Sequence, residues 1–217
     1  MKKRNHYKSL FLPIAGFILS SYGCDVFTSN NSNADVNEHN ICFYNSPNIK
    51  NPKALKLFDL GLNLVEQGTL YEAKKDFYEA NNLEPNNSII LNGLGAIHAR
   101  LGAFDSAIDY YKLSLKTDSL YLTTYIDYGQ TLNLANRYEE ALGIFFKGKR
   151  IKYDSSVEYG LYLNIAVSYY YLKDCDKAKK YSDTARLLSA NKKSEIKKEV
   201  NDDTDSLIER CNHNIFK

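Results

Sequence analysis

The chain has no tryptophan, one methionine and only four prolines in 217 residues. So little proline leaves long stretches free to be helical, and a collagen-like or Pro-rich low-complexity chain is excluded. Long hydrophobic runs are missing too. The most apolar stretch, Leu10 to Leu19, is about half of the roughly 20 residues that a membrane-spanning helix needs. Excess base is absent: the net charge of +2 comes from Lys2, Lys3, Arg4 and Lys8 in an acid-free start, and the rest of the chain holds 24 bases against 26 acids. A nucleic-acid footprint is therefore not expected. Nor is there a Gly-rich phosphate loop, a cluster with metal-ligand spacing or a nucleophile–base arrangement. The histidines His6, His39, His98 and His213 are scattered, and His39 beside Cys42 lacks further ligands. These absences predict no enzyme, no cofactor and no metal.

What is present is ordinary globular composition, 44% hydrophobic and 25% charged, with 18 tyrosines. The first 23 residues run from a basic start (MKKRNHYK) through the apolar stretch to Ser20-Ser21-Tyr22-Gly23, followed by Cys24. This is the pattern of an export signal. A small residue directly before a cysteine resembles the lipobox of bacterial lipoproteins, which implies lipidation of Cys24. Ser21 and Tyr22 depart from the usual lipobox residues, and Ser21-x-Gly23 also suits ordinary signal peptidase. Residues 24–53 read as a polar, Asn- and Ser-rich tether, broken by the apolar island Ile41-Cys42-Phe43-Tyr44, which either docks on the first helical repeat downstream or has no role.

From Ala54 to Asn87 large residues (Leu57, Leu60, Leu64, Phe77) alternate with small ones (Gly61, Ala73, Ala80) at spacings of three and four, with a break at Gln67-Gly68-Thr69 and a stop at Pro85. The spacing predicts two short helices joined by a tight turn. The pattern returns over 88–121 and 122–155 without a gap, and over 159–192 after three inserted residues, with Ala166 where the others have Gly. L-x2-L-G-x2-L, A-x3-F-x2-A and a closing Pro resemble the tetratricopeptide repeat, a 34-residue helical hairpin. The resemblance implies an all-α, right-handed superhelical solenoid of four units. Residues 193–217 supply a capping helix and tail, with Ile196, Val200, Leu207 and Cys211 on one stripe. Export permits disulfides. Counting residues along antiparallel helices brings Cys175 and Cys211 to within about one turn, so a bridge between them is expected, with two separate thiols as the alternative.

In solenoids of this family the first helix of each hairpin lines a concave groove. Carried over by position, this implies a groove formed by Phe58 and Leu62, by Asn92, Ala96 and Arg100, by Ile126, Gln130 and Asn133, and by Val167, Tyr170 and Tyr171. Asn92, Gln130 and Asn133 could hydrogen-bond an extended backbone and Arg100 could hold an acid. Alternatively, the apolar members are covered by the tether or the next turn. The basic and Asn positions by which some relatives grip a C-terminal carboxylate hold Phe58, Leu62, Gly93, Thr123 and Asp127, so that clamp is not expected. Short Asp-Ser/Thr-apolar triplets, such as Asp105-Ser106-Ala107, resemble an O-glycosylation signal of some exported proteins. The combined expectation is a protein-binding scaffold held to the membrane of a bacterial cell envelope by an N-terminal lipid, facing the periplasm or cell surface. Its partner is a protein or peptide. The alternative is a carbohydrate-binding surface lipoprotein that stacks sugars on exposed tyrosines such as Tyr170 and Tyr171.

Overall fold

Gly61, Gly95 and Gly129 stand eighth in the first three units, counted from Ala54, Ser88 and Leu122, and each faces the aromatic ring that stands twenty-fourth. A Cβ on Gly61 would meet the Phe77 ring at 2.8 Å, one on Gly95 the Tyr111 ring at 2.5 Å, and one on Gly129 the Phe145 ring at 2.2 Å. Only a missing side chain lets the two helices of a hairpin close around that ring. The fourth unit solves the same problem by shrinking the other partner. Ala166 replaces the glycine, Ser182 replaces the ring, and both are fully buried.

The computed structural model describes residues 49–151 and 158–213. The export signal, Cys24, residues 24–48 of the tether with its island, His39 and Cys42 lie outside the described residues. The last five tether residues lie inside them and are ordered, Ile49 being buried and Asn51 capping a helix that starts at Pro52, so the folded domain begins before Ala54. Among the described residues are nine helices and no strand: α1 (Pro52–Glu66), α2 (Leu70–Leu83), α3 (Ser88–Arg100), α4 (Phe104–Thr117), α5 (Leu122–Leu134), α6 (Tyr138–Gly148), α7 (Glu158–Tyr171), α8 (Cys175–Ser189) and α9 (Ser194–Asn212). The odd-numbered helices form an inner row in which each touches the next, and the even-numbered ones lie outside, between successive inner helices. This is an all-α solenoid.

Local chemistry sets where the helices start and turn. Asn51 and Asn87 cap α1 and α3, each accepting two backbone N–H bonds on its side-chain oxygen. Glu84 joins the two caps: Asn51 N donates to Oε2 and Asn87 Nδ2 donates to Oε1, both at 2.7 Å. The hairpin turn recurs with one left-handed residue at the fifteenth position of every unit, at Gly68 (φ 78°), Gly102 (φ 77°), Asn136 (φ 59°) and Lys173 (φ 63°). Gly and Asn tolerate that conformation, whereas a lysine there costs about 1–2 kcal/mol.

Between units, the outer helix of one packs against the inner helix of the next. At the first junction Tyr78 Oη and His98 Nε2 are 2.9 Å apart, and Tyr110 Oη donates to Tyr78 Oη at 3.0 Å. Burial, and then Lys74, hold the His98 imidazole below its usual pKa, so it is a neutral packing group. The equivalent positions of the third junction carry Phe146, Tyr169 and Tyr181, with the Tyr169 and Tyr181 rings stacked at 5.5 Å.

α9 closes the far end against α8 and α7. Val200, Thr204, Leu207 and Cys211 are buried, while Ile196, also placed on that stripe by its spacing, is half-buried. Arg186 of α8 pairs with Asp205 of α9. Cys175 and Cys211 are disulfide-bonded, their Cα atoms 5.6 Å apart.

Two outcomes are expected of this packing. Gly129→Ala should lower stability by about 1–2 kcal/mol in urea titrations, because overpacking outweighs the gain in helix propensity; Ala166→Gly should cost about 2 kcal/mol, the propensity difference plus the loss of a buried methyl group. Reduction, or Cys211→Ser, should cost roughly 3–4 kcal/mol by loop-closure entropy, with hydrogen exchange rising first in α9.

Candidate functional site on the inner row of helices

The inner helices carry the residues expected to line a groove, and the structure buries most of them. Phe58, Asn92, Ala96, Ile126, Gln130, Asn133, Val167 and Tyr170 are all buried, while Leu62, Arg100 and Tyr171 are half-exposed. The reason is a regular contact across the inner row at a separation of 35 residues, one unit plus one residue. Phe58 lies against Gly93, where a Cβ would meet its ring at 2.6 Å. Asn92 Nδ2 donates to Asp127 Oδ2 at 2.8 Å. Arg100 Nη1 donates to the Val65 carbonyl at 3.4 Å. Past the three inserted residues the register differs, and Ser168 Oγ, tenth in the fourth unit, donates to Asn133 Oδ1, twelfth in the third, at 2.9 Å. Groove positions are thus also unit-to-unit contacts. The Asn133 side chain, expected to hold a ligand backbone, is bound within the chain: its Nδ2 also donates to the Asn164 carbonyl at 3.5 Å.

Tyr170 requires a correction. It is fully buried, in a cluster with Ala166, Val167, Ala178 and Leu207, so it offers no face for a sugar to stack on. Tyr171 is half-buried, its ring stacked on Tyr138 at 4.9 Å and 8°.

At the middle of the inner row the hydrogen-bond balance is unequal. Asn92 Oδ1, Asp127 Oδ1 and Gln130 Oε1 are shielded from water and have no donor. Asp127 and Gln130 are one turn apart on α5, and Asn92 reaches Asp127 from α3, so adjacent units contribute acceptors to one place. Asp127 was legible only as a place where the carboxylate clamp is lacking. The signal that would have found it is the 35-residue offset, which pairs the fifth position of one unit with the sixth of the next.

Burial pushes the Asp127 carboxyl up to about 7, against a lowering hydrogen bond from Asn92. Unpaired acceptors in a dry site cost free energy, about 1–3 kcal/mol each. The site can receive N–H donors. Nothing in it resembles a catalytic arrangement, and among the described residues no group of three His, Cys, Asp or Glu side chains is placed to hold a metal.

Known structures share this architecture. The chain is similar to the structure of PilF from Pseudomonas aeruginosa (19% identity, TM-score 0.61, covering 76% of this chain and 75% of that one) and to a thermophilic TPR protein of Thermus thermophilus (21%, 0.60, 71% and 82%). It is also similar to PilW, described as a widely conserved type IV pilus biogenesis factor (16%, 0.58, 76% and 79%). The fold is of tetratricopeptide-repeat type. No protein-family model matches the sequence, and no curated protein matches it. Within the TPR solenoid the unmatched acceptors of Asn92, Asp127 and Gln130 lie on the row of helices that faces inward. No helix among the described residues is long and apolar enough to cross a membrane.

The Asp127 carboxyl gives a pH prediction. Its folded pKa is raised from 3.8 to about 7, so between those values the folded chain keeps a proton that the unfolded chain sheds. Its contribution to stability therefore falls as pH rises through that window and levels off above it. Asp127→Asn should flatten this part of the stability profile, adding about 2–3 kcal/mol more stability relative to the parent at pH 8 than at pH 5 in chemical denaturation.

Proposed function

We propose that the chain is a non-enzymatic scaffold of the bacterial cell envelope, exported and lipid-anchored at Cys24, that holds an extended segment of a protein partner along its inner helices. The observation that carries this reading is the set of unmatched acceptors from Asn92, Asp127 and Gln130. A segment laid along the row would supply backbone N–H groups, or a basic side chain, to oxygens that the free protein leaves without a donor. The closed inner row is destabilised by those unmet bonds, so a small shift between units that admits a donor-bearing segment is favoured by relieving them. Half-exposed Leu62, Arg100 and Tyr171 flank this centre and would take the partner's side chains.

The envelope location rests on the basic, apolar and small-residue zones before Cys24. The likeness to PilW makes subunits of surface filaments one class of partner to test. A glycan platform has less support, since Tyr170 is buried and Tyr171 is covered on one face by Tyr138.

Gln130→Ala removes an unmatched acceptor while leaving the Asn92–Asp127 and Ser168–Asn133 bonds between units in place. In the full-length lipidated chain, crosslinked in the native envelope and affinity-purified, it should cut partner recovery at least threefold while leaving the helical circular-dichroism signal intact. Unchanged recovery, with a partner present in the wild-type sample, would place binding on another face.

A further inference from the structure

The solenoid is capped at one end by α9, and its other end is open among the described residues. At internal junctions the seventh position of each unit, on its inner helix, is covered by the outer helix of the preceding unit: Leu94 is 0% exposed, Tyr128 9% and Ile165 0%. The same position in the first unit is Leu60, which is 47% exposed. Leu57 and Leu64, one helical turn to either side, complete an apolar strip on α1 and are only partly buried. Among the described residues, no helix precedes α1 to cover this strip.

Chain that could cover it stands just upstream. Ile41-Cys42-Phe43-Tyr44 is an apolar island in a polar tether, and Tyr44 is five residues before Ile49. Ile49 is itself buried in the cluster against which Leu57 and Leu64 pack. Asn51 N donates to Glu84 Oε2 at 2.7 Å, so the chain enters the first unit at the base of α1. The eight residues from Pro52 back to Tyr44 reach about 26–29 Å when extended, whereas Leu60 lies about 12 Å along α1 from Pro52. The connection is long enough for the island to fold back across the strip. A tethered segment of this length acts at an effective concentration in the millimolar range, so a small apolar contact suffices to hold it.

We propose that Ile41–Tyr44 is the N-terminal cap of the solenoid, packed across Leu57, Leu60 and Leu64 where an internal unit receives the outer helix of its predecessor. The cap would keep two copies from stacking end to end through this strip, and it would shorten the free tether between Cys24 and the folded domain.

The test places a benzoylphenylalanine photocrosslinker at position 60 of the full-length chain. Irradiation should give a monomer-sized product whose crosslinked peptide contains residues 41–44. Ile41→Asp with Phe43→Asp should reduce that product at least fivefold and lower the melting temperature by several degrees, with the helical signal retained. A product of doubled mass would assign the strip to a second copy, and a product with another protein would assign it to a partner. Either of these, or a cis product that the double substitution leaves unchanged, would overturn the proposal.

Discussion

The close approach of an inner helix to an aromatic ring on its own outer helix is the contact on which the architecture depends. Phe77, Tyr111 and Phe145 occupy space that a single methyl group at Gly61, Gly95 or Gly129 would contest. This contact sets the separation of the two helices in a hairpin, and that separation sets how the next hairpin stacks. The fourth unit keeps the arrangement with a different pair, Ala166 and Ser182, so the constraint is on summed volume at two positions and not on glycine as such.

Regular stacking then produces the 35-residue offset along the inner row. The same geometry places Phe58 on Gly93, Asn92 on Asp127 and Arg100 on the Val65 carbonyl, while past the inserted residues a different register brings Ser168 to Asn133. A solenoid has only neighbour contacts to hold it, so these ties and the aromatic junctions of Tyr78 and Tyr181 carry much of the coupling between units. The middle of the row is less fully tied: Asn92 Oδ1, Asp127 Oδ1 and Gln130 Oε1 lack a donor, and the one proton that could serve them is that of the neutral Asp127 carboxyl. That imbalance marks the place where the fold gives up stability, as binding sites commonly do.

The helical hairpins were legible because the alternation of large and small residues is a direct record of helix packing. The Cys175–Cys211 pairing was approachable for a similar reason, since residue counts along antiparallel helices convert to distance. The burial of the inner face was legible only as an alternative, cover of the apolar members by the tether or the next turn, and Phe58 on Gly93 is that cover. Position numbers within a unit say which way a side chain points from its helix, but not that Phe58 will meet Gly93 of the following unit, or that Tyr170 will be enclosed when α9 docks and brings Leu207 against it. Those are contacts between units, and they depend on the stacking angle. Asp127 stayed hidden for the same reason, its partner Asn92 being one unit away in space.

The central claim is that the inner row of helices, and not the outer surface, receives a protein partner. Site-specific photocrosslinking in intact envelopes tests it most directly, with the probe placed in turn at Leu62, half-exposed on inner helix α1, and at Leu113, exposed on outer helix α4. The account predicts a discrete protein adduct from position 62 and none from position 113. An adduct from position 113 alone would contradict it.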